Sequence, residues 1–415
     1  MRWEEVRRKA SSGAVKLSSE CPSRPLPDLD TLVVCPSQLH GSFPKDIFEG
    51  VDTDVVIGEK TSSDPLTLMT PVFVPGMPYG EVSKNARMAL AYGASLAGTM
   101  FGTGEGGMLP EEREICKQFR GKSMVSWGPA RHGLSLEFLK SGNAVLIELC
   151  GGGRGCFTTI WKSERTTPAQ AALWNVPMGL DWVSPPVHLD MDGPEDLKSH
   201  VHLMRELTEH KVPVLIKLGG ARVYEETRLA VESEADAVWL EALENPLFSA
   251  PEVIVEEVGI PLIALFAPAT RAFEDANARE RGTKLLVSGG ITNGADAFKA
   301  IAMGADAVGV GEGARVAMGC REDCGGQCHA GKCPIGIATM DPVLESKLDW
   351  KTAGKGISNY ISALTDELKL LCAAAGHTSV KGASIEDLRA LTYDAAALTG
   401  VKLAGYDKAL PMWMH

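Results

Sequence analysis

The chain has 415 residues, 45% of them hydrophobic and 44 of them glycine, a size and composition that suit one large α/β barrel with appended segments better than a string of small domains. A formal net charge of −12 and the lack of any basic stripe exclude a polyanion partner, so no nucleic-acid function is predicted. No window holds the roughly 18 uninterrupted apolar residues of a membrane span, and the polar opening MRWEEVRRKASSGAVKLSSE lacks a signal-peptide core, so the ten cysteines are read as thiols of a reducing cytoplasm.

Residues 1 to 65 read as a lead-in rich in proline and turns that wraps one end of the barrel. The first barrel strand is LTLMTPVFVPGM, and since barrels bind ligands where their strands end, the loop at Met77 is either a ligand contact or an ordinary strand-to-helix turn. A helix, SKNARMALAYGA, leads to the run Gly102-Thr103-Gly104-Glu105-Gly106-Gly107, which lets backbone approach a ligand closely but lacks the Lys-Ser/Thr of a phosphate loop. The strand MVSW, with Ser126, gives way to Arg131-His132-Gly133 and a helix.

The strand from Ala144 to Leu149 puts Glu148 at its carboxyl end and opens into Cys150-Gly-Gly-Gly-Arg154-Gly-Cys156. A carboxylate there is costly to bury, so it either pairs with Arg154 across the loop or serves a ligand. In VSPPVHLDMDGPEDL, His188 is a site residue or a hydrogen-bonded structural histidine. VPVLIKLGG ends its apolar run at Lys217, which points into the barrel mouth and needs an anionic partner. ADAVWLEALE and IPLIALFAP are taken as two further strands.

KLLVSGGITNGADAFKAIAMGADAVGVGEGARVAMGC reads as strand, helix (Ala295 to Met303) and strand (Ala307 to Val310), with Ser288-Gly289-Gly290 and Gly311 at the strand ends. Such a close offers bare backbone N–H groups to a phosphate, and the strand–helix rhythm predicts a (β/α)8 TIM barrel. Directly afterwards Cys320, Cys324, Cys328 and Cys333 follow as C-x3-C-x3-C-x4-C with glycines between them. Four soft thiolates that close suit one iron–sulfur cluster. Zinc would favour paired C-x2-C knuckles, which are absent, and a disulfide pair or idle thiols are the remaining readings. Cys21, Cys35, Cys116 and Cys372 are scattered thiols, expected to be buried. The chain is therefore divided into a lead-in (1–65), a barrel (66–319), a cluster loop (320–345) and a C-terminal helical segment or small cap (346–415).

The barrel close followed by a cysteine run, together with T-G-E-G-G at 103–107, resembles the synthase domain of the glutamate synthase family, and is most similar to its single-domain, archaeal-type subunit, over roughly residues 20 to 405. The resemblance implies FMN at the strand ends and a cluster, [4Fe–4S] or alternatively [3Fe–4S], that relays electrons from a donor such as ferredoxin or a reductase subunit. Reduced flavin then delivers hydride to an imine made from a 2-oxo acid and ammonia. It marks Met77, Thr103, Gly104, Glu105, Lys217, Ser288, Gly289, Gly290 and Gly311 as FMN contacts, Arg131 as a substrate contact, the SPP turn at Ser184 as a further shared position and the four cysteines as cluster ligands. Ser126 is added as a cofactor contact, and His188 and Arg154 as substrate contacts.

Two loops depart from the family pattern. Its I-K-M-A-Q-G-A-K-P-G-E-G-G loop reads I-E-L-C-G-G-G-R-G-C-F-T-T here, with Glu148 and Arg154 in the places of the two lysines, and its H-D-G-G-T-G-A-S-P loop reads ALENPLFSAP. The cysteine spacing is also one residue longer at each of its first two steps. The expectation is a flavin and iron–sulfur oxidoreductase with a rebuilt pocket, acting on an amine, imine or 2-oxo acid, with Glu148 as general acid/base, Lys217 stabilising reduced flavin and Arg154 clamping an anionic group. The alternatives are glutamate or N-substituted glutamate synthesis and a non-catalytic electron-transfer subunit. Because residue 2 is Arg, ammonia would come from a glutaminase partner or from solution, in a homo- or hetero-oligomer.

Overall fold

The computed structural model describes residues 2–39, 41–149, 154, 160–321 and 327–410. Eight parallel strands surround a common axis: Val72–Phe73 (β1), Met100–Gly102 (β2), Lys122–Trp127 (β3), Ala144–Glu148 (β4), Val214–Gly219 (β5), Ala237–Glu241 (β6), Lys284–Ser288 (β7) and Ala307–Gly309 (β8). β8 pairs with β1. On the other side of β1, Val74 N–H donates to Met100 O (3.0 Å) and Gly102 N–H donates to Val74 O (2.9 Å), which closes the ring. The fold is a (β/α)8 barrel.

Side chains alternate across each strand, so one set points to the axis and the other to the helices. The inward set at the lower end is apolar: Phe73, Met100, Met124, Leu146, Leu215, Trp239 and Leu286. Phe73 and Trp239 meet edge to face with centroids 5.1 Å apart. Below them an antiparallel hairpin, Val55–Ile57 with Leu66–Leu68, contributes Val55, Ile57, Leu66 and Leu68 to the same core. It plugs the barrel floor and joins residues on both sides of position 65.

The outward set, including Val145, Ile147, Ile216, Val238, Leu240 and Val287, packs under the helical shell. The long helix Trp350–Ala375 lies against Lys84–Leu96. That approach needs glycine, since a Cβ on Gly93 would sit 2.6 Å from Gly354 O. Among the described residues no helix is long and apolar enough to cross a membrane.

Two expectations about elements are corrected. IPLIALFAP is no strand: Leu262–Ala264 is a 3-10 turn and Phe266–Asp275 an α-helix. Leu262, Leu265, Phe266, Ala269, Ala272 and Phe273 are buried at helical spacing, and Pro268 sits in the first turn, where its missing N–H costs nothing. The tail is not wholly helical, because Leu388–Ala390 pairs antiparallel with Leu32–Val34.

Candidate active site at the strand ends

The period of two that makes the lower barrel apolar delivers a polar layer one step higher. Ser126, Glu148, Lys217, Glu241 and Ser288 continue the inward sets of β3 to β7, and all are buried. Strand register sets Lys217 between Glu148 and Trp239, and Glu241 beside Ser288. Lys217 Nζ lies 2.5 Å from Glu241 Oε2 and 4.5 Å from the Trp239 ring centroid. The anion that a buried lysine requires is thus a neighbouring strand's carboxylate. Asn245 Nδ2 donates to Glu241 Oε1 (2.7 Å) and Ser288 Oγ (2.9 Å), and Trp239 Nε1 also donates to Ser288 Oγ (2.8 Å). The Ser288 hydroxyl is therefore committed inside the barrel, so any phosphate contact from Ser288 would come from its backbone.

Above this layer lies a cavity open to solvent, with Met77, Gly104, Glu105, Glu148, Lys217 and Gly311 on its walls. The sequence reading did not single out Glu81, Trp174 or Arg315, which line it too. Glu148 carries the least compensated charge. Its carboxylate has no hydrogen-bond or ion-pair partner among the described residues, although only 7% of the residue is exposed. Of the two readings of Glu148, the pair with Arg154 is not formed; the Arg154 guanidinium donates to the carbonyls of Asn245 (2.8 Å) and Val258 (3.3 Å). Arg154 is not among the described residues lining the cavity.

Glu148 also adds to the burial that governs the charge state of its neighbours. Burial, reinforced by Glu148, pushes Glu105 up to about 8, against the stabilising N–H groups of Ala130 (2.8 Å) and Arg131. Burial likewise pushes Glu81 up to about 8, with Arg165 opposing the rise and Glu148 and Glu105 adding to it. Between the ordinary carboxylate range and about 8, the folded chain holds protons on Glu81 and Glu105 that the unfolded chain has lost. This contribution to stability is full below the unfolded pKa and falls as pH rises to the folded one. Thermal midpoints should decline from about pH 5 to about pH 8, and replacing both residues by Gln should flatten that trend. An unchanged slope in the double variant would contradict the assignment.

Arg131 and His188, expected as substrate contacts, lie behind the wall rather than in it. His188 Nε2 is 2.6 Å from Glu148 O, and its Nδ1 is 2.5 Å from Arg131 Nη1. Burial holds the imidazole down to about 4, so it is neutral at pH 7, and the arginine donating to Nδ1 leaves Nε2–H to donate to Glu148 O. Arg131 stacks 3.8 Å over Trp127 and reaches Asp190 at 2.6 Å. Together they hold the end of β4, where Glu148 sits.

The glycine-rich run is partly structural. Thr103 is fully buried, its hydroxyl donating to Gly104 O (3.0 Å) and accepting from Ser126 N–H (3.2 Å). Gly104 has φ +66, and a Cβ there would lie 2.7 Å from Pro78 Cδ in the Met77 loop. Behind both loops stands Arg87, which is 1% exposed. It pairs with Glu112 at 2.7 and 2.8 Å and donates to the carbonyls of Met77 (3.0 Å), Thr103 and Gly107 (3.2 Å). Arg87→Met leaves the Glu112 charge buried alone and should cost about 3–5 kcal/mol in urea unfolding. A loss within experimental error would mean that the clamp is idle.

The residues present fit a phosphate-bearing flavin. The hydroxyls of Ser126 and Ser184 are buried without hydrogen-bond partners among the described residues, and Ser184 faces the cavity. Gly289 and Gly290 have φ +119 and +68. Their N–H groups, and that of Gly311, take no hydrogen bond among the described residues. A Cβ on Gly311 would come no nearer than 3.6 Å to Pro75, so this side is open.

Of the four cysteines, Cys324 lies outside the described residues. Cys333 is 2% exposed. A hydrogen bond from Cys328 pulls its thiol down to about 5, helped by the N–H groups of Ala338, Ile335 and Ile337. The same contact drives the Cys328 thiol up, so the two sulfurs share one proton. Among the described residues no three metal-binding side chains converge on one point. Soft sulfurs held by backbone donors nevertheless suit an iron–sulfur centre. Cys328 also borders the cavity. Arg165 joins the two regions: it donates to His329 O, packs over Trp161 and Phe248 (4.8 and 4.9 Å) and attracts Glu81.

Comparison with known proteins agrees with this architecture. A family model described as the conserved region in glutamate synthase matches residues 31–378. A glutamate synthase large subunit-like protein of Rhizobium meliloti is 34% identical over 97% of this chain and 93% of its own length. The archaeal glutamate synthase [NADPH] of Methanocaldococcus jannaschii is 33% identical over 89% of this chain and 72% of its own. The archaeal-type enzyme of Thermotoga neapolitana is 31% identical over 98% and 81%. Among solved structures, a mandelate oxidase mutant with a monooxide FMN adduct shares the fold, with a TM-score of 0.51 at 18% identity over 86% of this chain and 87% of that one. On the family match and these relatives, the chain belongs to the glutamate synthase family.

Proposed function

We propose that the chain is an FMN-dependent oxidoreductase acting on a carbon–nitrogen bond, supplied with electrons through an iron–sulfur cluster at Cys320, Cys324, Cys328 and Cys333. The observation that carries this reading is Glu148, a buried carboxylate without a partner among the described residues, one strand from Lys217 in a cavity that Cys328 also borders. Relatives named glutamate synthases and a fold neighbour solved with an FMN adduct support the flavin. When bound, FMN supplies the hydride acceptor or donor, and the cluster a one-electron relay to a donor such as ferredoxin or a reductase subunit.

The backbone of Ser288, Gly289, Gly290 and Gly311 would hold the phosphate, with Met77, Thr103, Gly104, Glu105, Ser126 and Lys217 along the ring. Glu148 accepts the nitrogen's proton as the bond is oxidised and returns it as the bond is reduced. Lys217, anchored by Glu241, keeps a positive charge where negative charge builds up. Arg131 and His188 act as positioning residues for β4, and Arg154 for the wall at Asn245.

The experiment is anaerobic mixing of photoreduced protein with imines, and of oxidised protein with amines, following flavin absorbance. Flavin that responds to neither would sink the proposal. A second reading, glutamate or N-substituted glutamate synthesis with ammonia from a glutaminase partner or solution, draws on the relatives' names. It requires reoxidation by 2-oxoglutarate plus ammonia or methylamine. Gly290→Val tests the phosphate cradle, because φ +68 disfavours a β-branched side chain that would also crowd the free amides. Flavin content should fall close to zero with the circular dichroism retained, and full occupancy would place the phosphate elsewhere.

A further inference from the structure

The excursion between β4 and β5 brings a cation to the cysteine loop. Beside the paired strands Ile160–Trp161 and Trp182–Val183, a tight turn, Ser163–Arg165, leads into the helix Pro168–Trp174. The turn is pinned, because Ser163 N–H donates to Asp181 Oδ1 (2.7 Å) and Thr166 N–H donates back to Ser163 O (3.1 Å). The Arg165 guanidinium donates to His329 O, and a Cβ on Gly331 would lie 3.5 Å from its Nε. Both residues stand between Cys328 and Cys333 in the chain. The same guanidinium covers Trp161 and Phe248, with ring centroids 4.8 and 4.9 Å away, and Phe248 lines the cavity. Arg165 therefore joins the cysteine loop to the cavity wall.

Its charge is not cancelled there. The hydrogen bond goes to a carbonyl and the stacking to aromatic rings, so no carboxylate among the described residues meets it at ion-pair distance. Glu81, the acid that acts on it most strongly, is pushed up to about 8 by burial and is uncharged at pH 7. Glu164 is exposed, where water and salt screen it. Arg315 also acts on Cys328, but Glu312 at 3.3 Å offsets it. A guanidinium keeps its proton at any working pH, and a half-buried one is less screened than a surface charge. Reduction of an iron–sulfur centre adds one negative charge, a form that a neighbouring cation favours.

We propose that Arg165 sets the reduction potential of the cluster at Cys320, Cys324, Cys328 and Cys333, raising it through a fixed positive charge beside the loop. The inference rests on the cluster of the proposed function and adds to it a residue outside the cysteine set. The electron comes from the same external donor and leaves to the flavin, so the step needs no further reactant.

The test is a potentiometric titration of the purified full chain with dithionite and mediator dyes, following the cluster by electron paramagnetic resonance in the parent, Arg165→Gln and Arg165→Lys. Arg165→Gln should make the cluster harder to reduce by about tenfold or more, about 59 mV for one electron. Arg165→Lys keeps the charge and should stay within about threefold of the parent. An unshifted potential in Arg165→Gln, or an equal drop in both variants, would overturn the inference. Iron lost from a folded Arg165→Gln would overturn it too, since Arg165 would then be a clamp on the loop. Should Arg165→Gln fail to fold, the Arg165→Lys potential decides alone, parent-like for a charge effect and lowered for a contact that only a guanidinium makes. Parent protein without iron is a separate outcome, and it would sink the proposed function itself.

Discussion

Glu148→Gln should leave folding and flavin content nearly intact and cut the rate of substrate-linked flavin reduction or oxidation by about 10²-fold or more. Gln keeps the shape and the backbone, so the His188 contact to the Glu148 carbonyl at 2.6 Å survives. What is lost is the ability to take a proton from nitrogen. The rate should be measured by stopped flow under saturating substrate, where the loss appears in kcat rather than in binding alone. The variant should also relieve Glu81 and Glu105, both pushed up by the Glu148 charge. If the variant unfolds or loses flavin while chemistry per folded site is unchanged, Glu148 is structural.

Cys333→Ser should abolish the cluster and leave the flavin in place. The residue is 2% exposed, and its sulfur accepts from the backbone N–H groups of Ile335, Ile337 and Ala338. A serine oxygen there is a hard, protonated ligand where a soft thiolate is needed. The proposed phosphate cradle belongs to the ends of β7 and β8 and shares no residue with the cysteine loop. Iron and sulfide should therefore drop to background while FMN stays bound, and electrons from an external donor should no longer reach the flavin. Iron retained at the parent level would remove Cys333 from the ligand set.

Much of the site was legible because its residues break a pattern. Glu148 ends an apolar strand and Lys217 interrupts one near its end, and a charge in either position has to answer to something in the barrel mouth. The glycines at 289, 290 and 311 were legible as strand-end punctuation. Partner choice was not legible. The pairing of Lys217 with Glu241 depends on register between β5 and β6, and Arg154 turned to carbonyls that lie 91 and 104 residues away. Glu81 and Arg165 are ordinary charged residues in sequence, and only the closing of the barrel sets them at one cavity. IPLIALFAP misled because a continuous apolar run carries no period by itself. The helical spacing of Leu262, Phe266, Ala269 and Phe273 was present but needed a longer window. The strand Met100–Gly102 is three residues long, and it is defined by its hydrogen bonds to Val74 and β3 rather than by any repeat.

The central claim is that one chain carries flavin and cluster side by side, and analysis of flavin, iron, acid-labile sulfide and zinc in protein purified without oxygen tests it most directly. The account predicts brown-yellow protein with about one FMN and about four irons per chain, and a cluster signal in electron paramagnetic resonance after reduction. Colourless protein, or zinc in place of iron with no bound flavin, would contradict it.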